Sequence, residues 1–150
     1  MKTLIHSVVC VTASFFVASC SCYEAQVSAT EAATIGLPIG TVLEAKKDLF
    51  GQLQPHIDDG HQFIAISEVK LYKKHYVLKE VSIPAGTRFR IKGLTRPRNP
   101  LCSGIDAILE PVTPIDPAGV DWDIDLRSTG NGAYGPYPEM FSVQPVAGGS

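Results

Sequence analysis

The sequence predicts a mainly β fold, a small barrel or sandwich of six to seven short strands. Short segments rich in β-branched and aromatic residues recur along the chain, with turn-forming residues between them. The 150 residues include 13 glycines and 11 prolines, which favours many turns over long helices. Apolar and charged residues alternate in Thr87–Lys92 and Val120–Leu126, so each segment is expected to turn one face to the core.

The strand-like segments are short and follow one another at turn-like spacing. They are 41–45, 63–72, 77–83, 87–92, 104–112, 120–126 and 140–143. The loop-like segments are 54–61, 97–104 and 128–138. A helix over 69–81 is an alternative, because its apolar residues also fit a spacing of three and four. This succession of strands and turns is typical of a β-barrel or β-sandwich.

The first residues have the layout of a secretory signal peptide. Lys2 gives a positive start, and the apolar stretch from Leu4 to Val17 is too short to be a permanent membrane span. We therefore divide the chain into a signal peptide (1–19), a tether (20–34) and a single β-rich domain (35–150). Within the tether, Ser28 to Glu31 matches a helix capping box, but so short a helix is marginal alone and a flexible segment is expected.

The last signal residues, Val17-Ala18-Ser19-Cys20, resemble the lipobox of bacterial lipoprotein precursors. The resemblance implies cleavage before Cys20 and acylation of its thiol and its freed amine. Three acyl chains would anchor the protein firmly, whereas one chain, at about 0.8 kcal/mol per buried CH₂, binds only marginally. Ser21 follows the cysteine, which in proteobacterial lipoproteins implies an outer-membrane location facing the periplasm. Cleavage by an ordinary signal peptidase is the alternative.

Two cysteines remain for disulfide chemistry. Cys10 leaves with the signal and Cys20 carries the lipid, so Cys22 and Cys102 are the candidate pair in an oxidising envelope. Their disulfide would close a long loop, for which the chain-entropy model gives about 4–5 kcal/mol. The alternative is a free, buried Cys102 with Cys22 unpaired beside the membrane.

Residues 83–91 combine a Pro-Ala-Gly-Thr turn with an alternating strand. This segment resembles the turn-then-strand of bacterial SH3-like domains, and the resemblance implies that Thr41–Ala45 is the opening strand of a small barrel. The loop at 97–104 and the chain beyond 113 exceed a minimal domain of that kind.

Charge is distributed unevenly along the chain. The whole chain has 13 basic and 15 acidic residues, which argues against a nucleic-acid partner. Nine bases lie between Lys70 and Arg98, against Glu80 alone, whereas seven acids and only Arg127 follow residue 103. Internal charge pairing is one interpretation. The other is a binding patch for a membrane headgroup, peptidoglycan or an acidic envelope protein. The candidate patch consists of Lys70, Tyr72, Lys73, Lys74, Tyr76, Arg96 and Arg98.

Two alternatives refine the charge interpretation. Lys73 and Lys74 also suit a strand edge protected against aggregation. The basic face of Arg88, Arg90 and Lys92 would complement the acidic face of Asp121, Asp123 and Asp125, which predicts that these two strands are sheet neighbours.

The sequence gives little support to catalysis or to a cofactor. It contains no Gly-x-Ser-x-Gly motif and no phosphate loop, and Cys102 has no evident histidine partner. The D-x-D-x-D run at 121–125 resembles a calcium loop, but Leu126 and Gly132 occupy the EF-hand glycine and glutamate positions, so a strand is favoured. His56, Asp58, Asp59 and His61 have the residue types of a zinc or acid–base site, but a polar loop explains them as well.

Binding is therefore the expected function, as a lipid-anchored structural or interaction module of the cell envelope. The alternative is an inhibitor of an envelope hydrolase such as a lysozyme, with loop 128–138 entering the active site. Residues 128–134 resemble the Ser-Gly-x-x-Tyr loop of periplasmic lysozyme-inhibitor lipoproteins, although Thr129 replaces the serine and Tyr134 lies one position late. A plain turn also explains these residues.

Overall fold

The computed structural model describes residues 24–55, 60–69, 77–97, 104–130 and 132–144. They form one curled, half-barrel sheet and one short helix, α1 (Ala29–Thr34). The strands are β1 (Glu24–Gln26), β2 (Val42–Ala45), β3 (Leu49–Pro55), β4 (Gln62–Ser67), β5 (Lys79–Ile83), β6 (Arg88–Pro97), β7 (Ile105–Pro111), β8 (Asp121–Gly130), β9 (Ala133–Gly135) and β10 (Phe141–Gln144). The predicted mainly β class is confirmed. Among the described residues, no helix is long and apolar enough to cross a membrane.

The strand order is β10-β2-β6-β7-β8-β4-β3-β5, with β1 beside β6 and β9 beside β8. The β4–β8 pair is parallel, and the other pairs of described strands are antiparallel. The predicted number of strands, six to seven, was wrong because the sequence patterns missed β1, β3 and β9. Two of these lie in segments expected to be a tether and a loop. β3 lies mostly in a segment with no predicted element, and its last two residues extend into the expected loop 54–61, which is wrong for these two residues.

The N-terminal described segment belongs to the folded domain. β1 and β2 lie along the same edge of β6, with Gln26 opposite Thr95 and Val42 opposite Arg90. Between them the chain leaves the sheet to form α1, in which Ala32 is fully buried. The expectation of a flexible tether up to residue 34 is therefore wrong for residues 24–34, because packing on the core holds a helix that would be marginal alone.

The start of α1 confirms half of the predicted capping box. The Ser28 hydroxyl accepts a hydrogen bond from the backbone N–H of Glu31 at 3.2 Å. This contact satisfies one of the backbone donors that a helix N-terminus leaves unpaired.

Three aromatic side chains pack together on the buried face of the sheet. The ring centroid of Phe89 lies 5.4 Å from that of Trp122 and 6.4 Å from that of Phe141, and all three residues are almost fully buried. The predicted alternation in β6 and β8 is confirmed, with Ile91 and Ile124 also buried. The predicted pairing of β6 with β8 is wrong, because β7 lies between them.

A glycine in β3 makes room for the central tryptophan. A Cβ atom at Gly51 would lie 2.7 Å from Ile64 Cγ2 and 3.0 Å from Trp122 Cζ3. Distances this short require the neighbours to move, and both neighbours are themselves fully buried. Gly51 is thus the residue that lets the tryptophan ring of β8 extend beneath β3.

Two turns, between β2 and β3 and between β5 and β6, link strands from opposite halves of the sheet. The turn after β5 places Gly86 at φ 83°, and Thr87 N–H donates to Pro84 O at 3.1 Å. Asp48, in the turn between β2 and β3, accepts from Ala85 N–H at 2.9 Å. The turn-then-strand pattern at 83–91 is present, while its resemblance to SH3-like domains stays a prediction.

Two other expectations changed. The expected loop 128–138 is wrong in part, because β8 continues to Gly130 and β9 returns beside it. The alternative of a helix over 69–81 is wrong at its end, where residues 79–81 belong to β5. Residues 70–76 lie outside the described residues.

We predict that Gly51→Ala lowers the free energy of unfolding by about 1–3 kcal/mol, the usual cost of overpacking a core. Gly93→Ala is the matched control, since its added Cβ would lie 3.9 Å from Ile108 Cδ1, an ordinary contact distance. Urea denaturation of both variants measures the effect. Equal denaturation midpoints for the two variants would show that the core around Trp122 adjusts freely.

Candidate functional site

The predicted basic patch is represented in the described structure by Arg96 alone. Its guanidinium Nη1 lies 2.6 Å from Glu31 Oε1 of α1, with the two side chains 52% and 34% exposed. Contrary to expectation, Arg96 thus has an internal partner that holds α1 against β6. The other predicted patch members lie outside the described residues: Lys70, Tyr72, Lys73, Lys74, Tyr76 and Arg98.

The structure nevertheless fixes where the 70–76 segment joins the sheet. Val69 follows β4 and Leu78 precedes β5, and these side chains are 56% and 58% exposed. Because β4 and β5 both pair antiparallel with β3, they run in the same direction. The end of β4 and the start of β5 therefore lie at opposite ends of the sheet, and an exposed apolar side chain follows the first and precedes the second.

The outward face of β6, β7 and β8 is lined by paired charges. Arg90 Nη1 lies 3.1 Å from Glu110 Oε1, and Lys92 Nζ lies 2.8 Å from Asp121 Oδ1. A β-bulge between Ile91 and Gly93 makes Lys92 the extra residue of β6, and its long side chain reaches past β7 to β8. For these residues, internal charge pairing is the interpretation that the structure supports.

The environment of Lys92 favours its charged form. The hydrogen bond to Asp121 raises the pKa of the Lys92 ammonium, and the negative charges of Asp121 and Glu110 raise it further. Partial desolvation opposes this shift without reversing it.

His61 lies beside the same carboxylate. Its Nε2 atom is 3.7 Å from Asp121 Oδ2. The other members of its predicted cluster, His56, Asp58 and Asp59, lie outside the described residues. Within the part of the chain that the structure describes, no three potential metal ligands group together. The aspartates at 121, 123 and 125 alternate with core residues along β8, so the strand interpretation of the D-x-D-x-D run is confirmed.

The β8–β9 hairpin replaces the expected 128–138 loop. β8 continues four residues beyond Leu126, the last residue that pairs with β7, and Arg127 to Gly130 are exposed. The backbone N–H of Tyr134 donates to Ile35 O at 3.0 Å, so the middle of β9 is tied to the end of α1.

The sequence patterns gave no sign of a cleft between the end of β4 and the middle of β8. The parallel pairing ends at Ala65 and Asp123, and beyond it the two strands border an open space of about 320 Å³. Ile66, Ile124 and Met140 line its apolar part. We call this space the β4–β8 cleft. Its residues come from three separate segments of the chain, so no local motif marks them.

The cysteines lie outside the described residues, but the strand register gives the distance between the residues that follow Cys22 and Cys102 by four positions. Thr95 is opposite Gln26 on one side and Asp106 on the other, about 10 Å apart at the usual strand spacing. Cys22 and Cys102 each precede one of these residues by four positions. Because β1 and β7 are both antiparallel to β6, they run in the same direction and begin at the same end of the sheet.

We predict that Cys22 and Cys102 form a disulfide under oxidising conditions. Non-reducing digestion and mass spectrometry should find the cross-linked peptide, and Cys102→Ser should lower the free energy of unfolding by about 2–5 kcal/mol. The same digest of protein kept in reductant is the control. Free thiols at both positions in the oxidised protein would favour the alternative of a buried Cys102.

We predict a coupling of about 0.2–1 kcal/mol between Lys92 and Asp121, the range for exposed ion pairs. Urea denaturation of Lys92→Gln, Asp121→Asn and the double variant measures it. Because the folded state raises the lysine pKa, this stabilisation is complete below the ordinary lysine pKa of about 10.4 and is lost as the pH rises through the folded-state value. A coupling of zero at neutral pH and low salt would contradict the prediction.

Comparison with known proteins gives no relative. No protein-family model matches the chain. No curated protein and no solved structure matches it significantly.

Proposed function

We propose that this chain is an exported lipoprotein, anchored through Cys20 to the outer membrane and facing the periplasm, whose β domain works by binding and not by catalysis. The sequence support is the signal segment that ends in Val17-Ala18-Ser19-Cys20. The structural observation that carries the proposal is the position of β1, which begins at Glu24, because it limits how far the sheet can lie from the proposed anchor.

The distance from Cys20 to the sheet is short. Four residue steps separate it from Glu24, and they span at most about 14 Å. A flexible tether to Ile35 would span about 50 Å instead. The proposed anchor would therefore hold the domain directly on the lipid surface, with the start of β1 towards the headgroups. Pro97, which pairs with Glu24, lies at this same end.

Charge pairing narrows the choice of partner-binding residues. Arg90, Lys92 and Arg96 have carboxylate partners within the domain. The remaining basic candidates are Lys70, Lys73, Lys74 and Arg98, and Arg98 directly follows Pro97 at the proposed membrane-near end. These residues suit lipid headgroups, peptidoglycan or an acidic envelope protein.

The second candidate function is inhibition of an envelope hydrolase such as a lysozyme. The observation that favours it is the β8–β9 hairpin, whose exposed residues Arg127 to Gly130 project past the paired end of β7. The exposed β8 strand of this hairpin presents a narrow edge to an active-site cleft, while β9 stays tied to the domain by the hydrogen bond from Tyr134 to Ile35.

We predict that Cys20→Ala abolishes acylation, because the acceptor of the acyl chains is lost. Labelling with an alkyne fatty acid should mark the wild type and the Cys10→Ala control, which changes a cysteine inside the signal segment. The Cys20→Ala product should remain an uncleaved precursor or become soluble. Label that persists in this variant would contradict the anchor.

The binding function is tested on the same anchored protein. Reversal of Lys73, Lys74 and Arg98 to glutamate should weaken capture of the envelope partner at least tenfold, and wild-type capture should fall as ionic strength rises. The charge-matched control reverses Lys47, Lys79 and Arg90, whose charges have partners within the domain. Unchanged capture by the first variant would move the binding site to the hairpin, where lysozyme inhibition assays of hairpin variants would follow.

A further inference from the structure

The β4–β8 cleft has the size and lining of a small binding site. Its volume of about 320 Å³ is at the lower limit for ligand pockets, enough for one long side chain or a small molecule. Ile66, Ile124 and Met140 contribute its apolar part and are each at least nine-tenths buried. A ligand there would thus meet a rigid surface that the core already holds in place.

Carboxylates surround this apolar surface. Glu68, Asp125 and Glu139 line the cleft, and no basic side chain does so among the described residues. The charge of Glu68 is matched by Lys47, with Nζ 2.6 Å from Oε2. Asp125 and Glu139 show no ion pair within the described ranges, and Asp125 lies opposite a second acid, Asp106.

One aromatic side chain completes the lining. Tyr137 lines the cleft, and the Arg127 guanidinium lies 5.9 Å from the centre of its ring. Arg127 itself is not among the residues that line the cleft. Two acidic residues without ion-pair partners in the described ranges therefore border a space whose remaining lining is mainly apolar.

We propose that the β4–β8 cleft binds an arginine side chain of a protein partner. Its aliphatic stem would pack on Ile66, Ile124 and Met140, and its guanidinium would donate hydrogen bonds to Asp125 and Glu139. Arginine fits better than lysine because its planar fork carries five donors and can serve two carboxylates at once. The proposal goes beyond the anchored binding function and does not depend on the lipid.

The test uses the full mature chain with Cys20→Ser, labelled with ¹³C at isoleucine and methionine methyl groups. Acetyl-arginine-amide is the probe, and acetyl-citrulline-amide is the uncharged control of nearly equal shape. The arginine probe should shift the methyl signals of Ile66, Ile124 and Met140 in a saturable manner. The citrulline probe should bind at least tenfold more weakly.

Two pairs of substitutions test whether the cleft carboxylates bind the guanidinium of the probe. Asp125→Asn with Glu139→Gln should weaken binding of the arginine probe at least tenfold while the methyl spectrum stays dispersed. The matched control, Glu44→Gln with Asp116→Asn, removes two carboxylates outside the cleft and should leave the affinity unchanged.

Three results would overturn the proposal: no shift at the three cleft methyls, equal affinity for citrulline, or unchanged affinity in the Asp125/Glu139 variant. A fourth concerns the chain itself, since Lys70 directly follows the cleft residue Val69. Probe binding that occurs only after Lys70, Lys73 and Lys74 are changed to glutamine would assign the cleft to this segment instead of an external partner.

Discussion

The packing of Trp122 on the concave face is the constraint on which the rest of the fold depends. Its ring contacts Phe89 two strands away and extends to Gly51 in β3 on its other side. Burial of so large a side chain is a major source of hydrophobic stabilisation. Its indole Nε1 is buried without a hydrogen-bond partner in the described structure, a cost of about 1–3 kcal/mol. Packing, and not hydrogen bonding, therefore accounts for the position of this side chain.

This inward packing determines the electrostatics of the outer face. Once Phe89 and Ile91 point to the core, the side chains of Arg88 and Arg90 must point to solvent. In β8, likewise, Trp122 points to the core and the aspartates on either side of it point outward. The outward basic and acidic rows then lie close enough for pairing through Glu110 and Asp121. The basic stretch and the acidic stretch of the sequence thus pair with each other across β6, β7 and β8. This pairing leaves fewer basic side chains free to bind a partner than the sequence suggested.

Sequence reasoning succeeded where local pattern and tertiary environment agree. β6 and β8 are half-buried strands, so their alternation showed both their type and their core residues. The pattern did not predict β3, because its sequence contains glycine, glutamine and proline and its buried positions do not alternate. Its strand conformation comes from β4 and β5 on either side. β1 has only three residues and is held by β6, a contact that no local pattern reveals.

The same distinction applies to the site residues: a local pattern reveals the charged residues, but only the fold reveals their partners. A run of bases is visible in any sequence, but the partner of Arg96 is not, because Glu31 lies far away in the chain and approaches only when α1 packs on the sheet. The β4–β8 cleft was missed because its carboxylates come from three segments that the fold brings together. Predicting such a site requires the strand order, and the sequence suggested a wrong neighbour for β6.

The strand register relates the cleft to the proposed anchor. Gln26, Thr95, Asp106 and Asp125 form one row across β1, β6, β7 and β8. Three strand spacings, about 14 Å, thus separate the cleft residue Asp125 from the strand that follows the anchor. With Cys20 only six residues before Gln26, a lipid at that position would keep the cleft close to the membrane surface. A protein that inserts an arginine there must itself approach the bilayer, which favours a membrane-associated partner over one deep in the periplasm.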